Sequence, residues 1–308
     1  MVGIVHLEKF VLLLSLVHAC LGVGGRKLTA LVQQPPLVLT YHKGALLQGS
    51  HPFSIVWYGE FTPSQRSIVS DFLSSFNHQE KSPSVSSWWK VIEAYLVKAG
   101  MQGSAMVVLG KQVLDDKYSL GKSLKRAQIG ELAAKATTAN GITLVLTSKD
   151  VAVEGFCMSS CGFHDSSPLQ PSGEKFAYIW VGNSESQCPG QCAWPFHQPL
   201  YGPQTRPLVP PNGDVGVDGM IINIASMLAG TVTNPYKSGY FQGPATAPLE
   251  AASACSGIYG KNAYPGYAGE LLVDSVSGAS YNANGINGRR YLLPALWNPD
   301  TSTCYTLV

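Results

Sequence analysis

The stretch Phe53-Ser-Ile-Val-Trp-Tyr58, followed by Thr62-Pro63-Ser64-Gln65, decides the fold class of this chain. The first segment is a short apolar run rich in β-branched and aromatic residues, which predicts a buried strand. The second has threonine and glutamine at capping-box spacing, with proline at the first helical position, and therefore predicts a helix start. A strand that leads directly into a helix is a building unit of α/β domains.

The same alternation continues outward from this stretch. Further strands are predicted at 37–41, 105–109, 142–146 and 176–181. Further helices are predicted from Ser82-Pro83, from a cap at Ser123 and from a cap at Asp218. Residues 236–308 have little periodicity and are predicted to be irregular loops held by cysteines. The pattern predicts a single α/β domain, with a mixed sheet, helices and disulfide-pinned loops.

The N-terminus has the three-part layout of a secretory signal peptide. Lys9 precedes an apolar run from Phe10 to Val17, and small residues follow as far as Gly24. This run is shorter than the roughly 18 to 20 residues that a membrane-spanning helix needs, and no later stretch is expected to span a bilayer. We therefore expect a signal peptide at residues 1–22 and a secreted, soluble extracellular domain at residues 23–308.

Cysteine usage agrees with export. Six cysteines follow the leader, and an even number in an exported chain indicates disulfides. They are Cys157, Cys161, Cys188, Cys192, Cys255 and Cys304. Proximity and elimination favour the pairs 157–161, 188–192 and 255–304, with cross-links between the first two pairs as the alternative. Zinc ligation by the two closely spaced pairs is less expected in an oxidising compartment.

Composition and motifs favour a protein without catalytic machinery. Lys plus Arg exceeds Asp plus Glu by only two, which gives no reason to expect nucleic-acid binding. The chain contains no H-E-x-x-H zinc motif and no G-x-S-x-G nucleophile elbow. Gly121-Lys122-Ser123 ends like a phosphate-binding loop, but Asp116 stands where its first glycine is needed. No catalytic residue, metal ligand or cofactor is therefore predicted.

Several motifs resemble those of the plant phosphate-induced protein 1 (EXORDIUM-like) family. They are Tyr41-His-Lys-Gly44, Trp57-Tyr58-Gly59, Phe61-Thr-Pro-Ser-Gln65, Cys157-Met-Ser-Ser-Cys-Gly-Phe-His164, Val181-Gly-Asn-Ser184, Cys188-Pro-Gly-Gln-Cys192, Pro211-Asn-Gly-Asp214, Gly216-Val-Asp-Gly219 and Tyr291-Leu-Leu-Pro-Ala-Leu-Trp297. The resemblance implies a non-catalytic protein of the plant cell wall space, or apoplast, that promotes growth and is linked to brassinosteroid and nutrient status.

A second similarity concerns the segment from Gly219 to Pro235. It is similar to the metal-binding helix of secreted zincin-like proteins, which implies a zincin-like scaffold. At the positions where that helix carries metal ligands and a general base, this chain has Ser226, Met227, Gly230 and Asn234. Serine is a poor zinc ligand, methionine suits softer metals, and glycine has no donor atom. We therefore interpret the metal site as vacated.

Three functional hypotheses remain open at this stage. The first is a non-catalytic protein that binds an unknown extracellular partner or wall component. The second is a metal-dependent hydrolase with a site rebuilt from His164, His197, Asp165, Asp214 or Asp218. The third is a carbohydrate-binding protein that uses exposed aromatic residues, namely Tyr236, Tyr240 and Tyr259. Trp57-Tyr58 and Trp88-Trp89 follow core-facing patterns and are expected to pack inside the domain.

Overall fold

The computed structural model describes residues 36–158, 160–168 and 175–308. The predicted signal peptide at residues 1–22 lies outside the described residues. The leader and the boundary at residue 23 therefore stay predictions. Described residues from Leu37 onward form one compact unit.

The first part of the chain alternates strands with helices. In chain order its elements are β1 (Thr40–Tyr41), β2 (Gly49–Tyr58), α1 (Pro63–Ser74), α2 (Val85–Lys98), β3 (Ala105–Asp115), β4 (Ser123–Leu124), α3 (Arg126–Ala136), β5 (Ile142–Thr147), β6 (Ala152–Val153), β7 (Gly162–Pro168), β8 (Lys175–Gly182), α4 (Pro189–Cys192) and α5 (Val215–Thr233). The last part contains only short strands: β9 (Tyr240–Phe241), β10 (Leu272–Val273), β11 (Ser280–Tyr281), β12 (Ala283–Asn284), β13 (Arg290–Tyr291), β14 (Leu296–Asn298) and β15 (Thr303–Tyr305).

Five strands form the central sheet, in the order β3-β2-β5-β8-β7. The first four run parallel, and β7 pairs antiparallel with β8 at one edge. Every residue of β5 is buried, as expected for an inner parallel strand that is covered on both faces. The sheet therefore confirms the predicted α/β class with a mixed sheet.

Helices cover both faces of this sheet. Trp57 and Ile55 of β2 lie in the larger core, which α1, α2 and α5 close from one side. Val56 and Tyr58 alternate with them and lie in a second core beneath α3. The period-2 alternation of a strand separates these two sets of side chains. The pairs Trp57-Tyr58 and Trp88-Trp89 therefore pack inside the domain, as predicted.

The predicted capping box is present at α1, but the other three predicted helices begin elsewhere. Helix α2 begins at Val85 after the N-cap Ser84, and not at Ser82-Pro83. The Gln65 backbone N–H donates to Thr62 Oγ1 at 3.2 Å, and the Gln65 side chain accepts from the Thr62 N–H at 3.0 Å. Ser123 belongs to β4, and α3 begins at Arg126. Asp214 caps α5 by accepting from the Val217 N–H at 2.9 Å, so the prediction that Asp218 caps this helix is wrong.

The sequence patterns missed the edge strand β7. This strand contains His164, Asp165 and four other residues typical of turns, so it has no apolar alternation. Its strand conformation comes from pairing with the apolar strand β8. The predicted strand at 37–41 is reduced to β1, which pairs with β9 from the C-terminal region.

The preferred disulfide pairing was wrong for four of the six cysteines. Cys157 pairs with Cys188 and Cys161 pairs with Cys192, whereas the predicted Cys255–Cys304 bridge is confirmed. Cys188 and Cys192 flank one turn of α4, and residues four apart on a helix have Cβ atoms about 5 to 6 Å apart. A disulfide needs about 3.8 Å between its Cβ atoms, so each cysteine pairs across to the 157–161 loop instead. All four sulfurs are used, which leaves no thiolate zinc site.

Helix α5 corrects a further expectation. By length and composition it could cross a membrane, contrary to the prediction that no later stretch could. However, 78% of that stretch is buried inside the domain, as in the core helix of a soluble protein. The zincin-like part of the fold prediction finds no support, because the described residues contain no group of three His, Cys, Asp or Glu placed to share an ion.

Candidate functional site

Helix α5 carries the four positions at which the sequence predicted a vacated metal site. Ser226 Oγ donates back to the Ile222 carbonyl at 2.9 Å, and Met227 is partly buried against the core. Gly230 lies one turn before the end of the helix, and Asn234 forms its C-cap. None of these residues presents a charged oxygen or an imidazole nitrogen. The interpretation that these positions are vacated stays a prediction.

A buried polar cluster occupies the space beside Gly230. His164 Nε2 lies 2.8 Å from Glu250 Oε2, and the two side chains are only 9% and 11% exposed. The other carboxylate oxygen of Glu250 accepts from Asn234 Nδ2 at 2.7 Å. Asn234 Oδ1 in turn accepts from the Gly239 N–H at 2.8 Å. The cluster therefore joins strand β7, the end of α5 and the C-terminal region.

The absence of a side chain at position 230 makes this cluster possible. A Cβ atom there would lie 2.7 Å from Glu250 Oε2 and 3.0 Å from His164 Nε2. Both contacts are shorter than ordinary van der Waals contacts, so any larger residue would displace the pair. His164 Nδ1 is buried and has no hydrogen-bond partner in the described parts of the chain. Sequence reasoning missed Glu250. The one signal in the sequence was Gly230 itself, because a glycine inside a helix often marks a place where another group approaches the backbone closely.

The residues of the alternative, rebuilt hydrolase site are scattered. His197 is exposed and contacts its neighbour's carbonyl, while Asp165 pairs with Lys237 at 3.0 Å. Asp214 is the N-cap of α5, and Asp218, in the first turn of that helix, accepts hydrogen bonds from Asn212. Within the described residues these side chains do not join His164 in one ligand set, so the alternative hypothesis of a rebuilt metal site finds no support here. That the protein holds no metal or cofactor stays a prediction.

Replacing His164 with leucine is expected to lower the free energy of unfolding by about 2 to 3 kcal/mol. The substitution removes a donor from a buried carboxylate, and hydrogen bonds to charged groups contribute about this much. Chemical denaturation of the mature chain measures the effect. His197→Leu, at an exposed position, is the matched control and is expected to change stability by less than about 0.5 kcal/mol. Equal stability of the two variants would contradict the structural role of the cluster.

A second buried carboxylate lies at the other end of α5. Asp218 is only 2% exposed. Its Oδ2 accepts from the Asn212 N–H at 2.9 Å, and its Oδ1 accepts from Asn212 Nδ2 at 2.7 Å. Burial raises the pKa of Asp218 to about 7, against the effect of these hydrogen bonds, and the nearby Asp214 charge adds to the rise. This carboxyl therefore exchanges a proton near neutral pH.

The aromatic residues proposed for carbohydrate binding do not form a surface. Tyr240 and Tyr259 are 3% and 5% exposed and belong to the cores, so the prediction that they are exposed is wrong. Tyr236 lies apart from them, beside Lys175. The rings of Tyr240 and Tyr259 pack inside the domain, whereas Tyr236 is half-buried.

Other aromatic residues do line a surface groove. Tyr201 is 89% exposed and Tyr264 is 64% exposed, and both line a hollow of about 490 Å³ together with Trp194. An adjoining hollow of about 130 Å³ shares Trp194 and Tyr264 and adds Tyr267 and Arg206. The ring centroids of Tyr264 and Tyr267 are 5.0 Å apart. We call these two hollows the aromatic groove.

Comparison with known proteins assigns the family. Residues 39–307 match the phosphate-induced protein 1 conserved region. The chain is 59% identical to Protein PHOSPHATE-INDUCED 1 of Nicotiana tabacum, with 97% of each chain covered. It is 56% identical to Protein EXORDIUM-like 2 and 55% identical to Protein EXORDIUM, both of Arabidopsis thaliana, with 97% of this chain and 98% of each relative covered.

A disulfide-bonded α/β domain with these family motifs therefore belongs to a defined class of plant proteins. The chain is a member of the phosphate-induced protein 1 family, as its motifs predicted. No solved structure matches it.

Proposed function

We propose that this chain is a secreted, non-catalytic protein of the plant cell wall space that promotes growth by binding a component of the wall. Membership of the family supports the regulatory role, because its relatives bear the names of EXORDIUM and phosphate-induced proteins and not of enzymes. The family resemblance also links this role to brassinosteroid and nutrient status. Three disulfides support an extracellular location, since such bridges persist in oxidising compartments.

The observation that carries the non-catalytic part is the filled space beside Gly230. A catalytic zinc needs three protein ligands and an open position for water. Here His164 and Glu250 bond to each other in that space, and the neighbouring positions on α5 hold Ser226 and Met227. This arrangement favours a role in structure over one in metal-assisted hydrolysis.

The aromatic groove supports a wall polysaccharide as the bound component. The exposed tyrosine rings and the partly buried Trp194 ring offer flat apolar faces, against which the C–H face of a sugar ring can bury apolar area. Their hydroxyl and indole N–H groups remain available to bond sugar hydroxyls. Tyr201 and Tyr264 lie at the surface, where a long polymer can reach them without entering the domain.

Retention of the purified mature chain on insoluble cell-wall polysaccharide tests the proposal. The double variant Tyr264→Ala/Tyr267→Ala is expected to lose at least about tenfold in affinity, which corresponds to about 1.4 kcal/mol of lost ring contact. Chelator treatment is expected to leave retention unchanged, because no metal takes part.

The matched control for this experiment is Tyr305→Ala. Tyr305 is also partly exposed, at 39%, but it lies outside the aromatic groove. Equal loss in Tyr305→Ala and in the groove variant would contradict the groove as the binding site. Loss of both retention and peptide hydrolysis after chelation would instead favour the hydrolase hypothesis.

A further inference from the structure

The central sheet has a switch point between β2 and β5. The chain passes from β2 to β3 on one side and then returns across β2 to β5 on the other side. Connections therefore leave these two neighbouring parallel strands in opposite directions. In open α/β sheets, ligands bind in the crevice that such a switch point creates outside the carboxyl ends of the strands.

A cavity of about 730 Å³ lies at this position. Its walls come from the residues that follow four strands: Gly59 and Glu60 after β2, Asp116 and Lys117 after β3, Lys149 and Asp150 after β5, and Asn183 after β8. The N-terminal turn of α1 forms a further wall. The volume is in the range of about 300 to 1,000 Å³ that is usual for small-molecule sites. We call this cavity the switch-point cleft.

The strand ends around the cleft are tied together. The Ser148 N–H donates to the Tyr58 carbonyl at 2.9 Å, and the Asn183 N–H donates to the Thr147 carbonyl at 2.9 Å. Gly59 has φ of +93°, and a Cβ atom there would lie 2.0 Å from Ser148 Oγ. Only glycine therefore allows β2 and β5 to end this close together. The walls of the cleft are held in place before any ligand arrives.

The side-chain amide of Asn183 borders the cleft. The residue is 98% buried, and its Oδ1 accepts from the Glu185 N–H at 3.0 Å. Its Nδ2 group donates to no other group in the described parts of the chain, although Asn183 lines the cavity. The Asn183 amide is therefore held in a fixed place at the wall of the cleft, where its Nδ2 group is free to donate to a ligand.

The charges that line the cleft balance. The lining contains three carboxylates, from Glu60, Asp116 and Asp150, and three cations, from Arg66, Lys117 and Lys149. Asp150 and Lys149 also form ion pairs with Lys122 and Glu185, which adds one charge of each sign beside the cleft. Although desolvation opposes the effect, hydrogen bonds from Lys122, Ser148 and Tyr118 together lower the pKa of Asp150 to about 2, so it stays a fixed acceptor. A ligand with a net charge of either sign would meet as much repulsion as attraction. A neutral ligand avoids this repulsion, and one that both donates and accepts hydrogen bonds can bond to charged groups of either sign.

We infer that the switch-point cleft binds a small neutral saccharide. Sugar hydroxyls donate to the carboxylates and accept from the ammonium groups and the Asn183 amide, which matches the mixed lining. Leu114, which is 57% exposed, offers an apolar contact for the sugar ring. This site is separate from the aromatic groove and goes beyond the proposed function, since it takes a soluble sugar whether or not a wall polymer binds elsewhere.

Isothermal titration of the mature chain with glucose, cellobiose, glucuronate and inorganic phosphate tests the inference. We expect binding of a neutral sugar. The variant Glu60→Ala/Asp116→Ala/Lys117→Ala is expected to weaken that binding at least about tenfold. Its three sites are exposed and make no hydrogen bond or ion pair in the described parts of the chain, so the variant is expected to fold. Asn183→Asp, which replaces the open donor by an acceptor, provides a second test.

Three results separate this site from the rest of the molecule. The exposed pair Lys90→Ala/Glu131→Ala is the matched control and is expected to leave binding unchanged. Tyr264→Ala/Tyr267→Ala is also expected to bind the sugar normally, so failure of the groove proposal leaves this inference intact. Failure of both neutral sugars to bind would overturn the inference. Binding of glucuronate or phosphate alone, or sugar binding that survives the cleft substitutions, would overturn it as well.

Discussion

Removal of both disulfides between the 157–161 loop and α4 is expected to lower the free energy of unfolding by about 6 kcal/mol. Each bridge spans 31 residues, and closing a loop of that length contributes about 3 to 4 kcal/mol on the chain-entropy model. With one bridge in place, the other closes a ring of about ten residues and contributes about 2 to 3 kcal/mol. Since whole domains are stable by about 5 to 15 kcal/mol, the variant without either bridge is expected to be at the limit of folding.

Pairs of alanine substitutions distinguish the two disulfide arrangements. Cys157→Ala/Cys188→Ala removes one bridge and leaves the other, so a loss of about 2 to 3 kcal/mol is expected in chemical denaturation. Cys157→Ala/Cys161→Ala removes one partner from each bridge and is expected to be about as unstable as the variant with all four cysteines replaced. It also leaves two thiols that a thiol reagent counts after unfolding.

The opposite order of stability would contradict the observed pairing. If Cys157 were bonded to Cys161, Cys157→Ala/Cys161→Ala would remove a single bridge and be the milder of the two variants. Cys255→Ala/Cys304→Ala serves as the control, because both pairing schemes contain that bridge. Its loop spans 49 residues, and the expected loss is about 4 kcal/mol under either scheme.

The parts of the fold that sequence patterns predicted are those determined by local chemistry. The strand at Phe53 and the capping box at Thr62 depend on side chains within a few residues, and both are present in the structure. Strand β7 depends on its partner β8, a pairing that single-sequence periodicity does not contain. The predicted start of α5 was wrong for a related reason. Aspartate is a good N-cap residue at both positions, and in the folded chain Asp214 caps the helix while Asp218 accepts from Asn212.

The candidate site divides in the same way. Gly230 and Asn234 were singled out by the similarity to a metal-binding helix, but Glu250 lies in a region without periodicity and reaches the helix only in the folded chain. The switch-point cleft was invisible for the same reason, because Asp116, Lys149 and Asn183 follow three different strands. Each is an ordinary surface-type residue in sequence, and only the parallel order of the strands brings them together.

The stability of the protein is expected to fall by about 4 kcal/mol through Asp218 as the pH rises from about 4 to about 7. Burial raises the pKa of Asp218 in the folded chain to about 7, whereas the pKa of an unperturbed aspartate is 3.8. Between these values the folded chain holds a proton that the unfolded chain has released, so raising the pH favours unfolding. Three pH units at about 1.4 kcal/mol each give the expected change.

The variant Asp218→Asn isolates this effect, because asparagine is neutral at every pH and close in size to protonated aspartate. Denaturation midpoints of the two proteins are compared at pH 4, 5, 6 and 7. The denaturation midpoint of Asp218→Asn is expected to rise steadily relative to that of the original chain as the pH increases from 4 to 7. It should remain constant below about pH 4, where both folded and unfolded states hold the proton.

Asp116→Asn is the control for the change in net charge, since it alters an exposed carboxylate on the protein surface. Its stability relative to the original chain is expected to vary by less than about 0.5 kcal/mol over the same range. Parallel curves for Asp218→Asn and the original chain would contradict the assignment. They would mean that the hydrogen bonds from Asn212 outweigh burial and keep Asp218 ionised inside the domain.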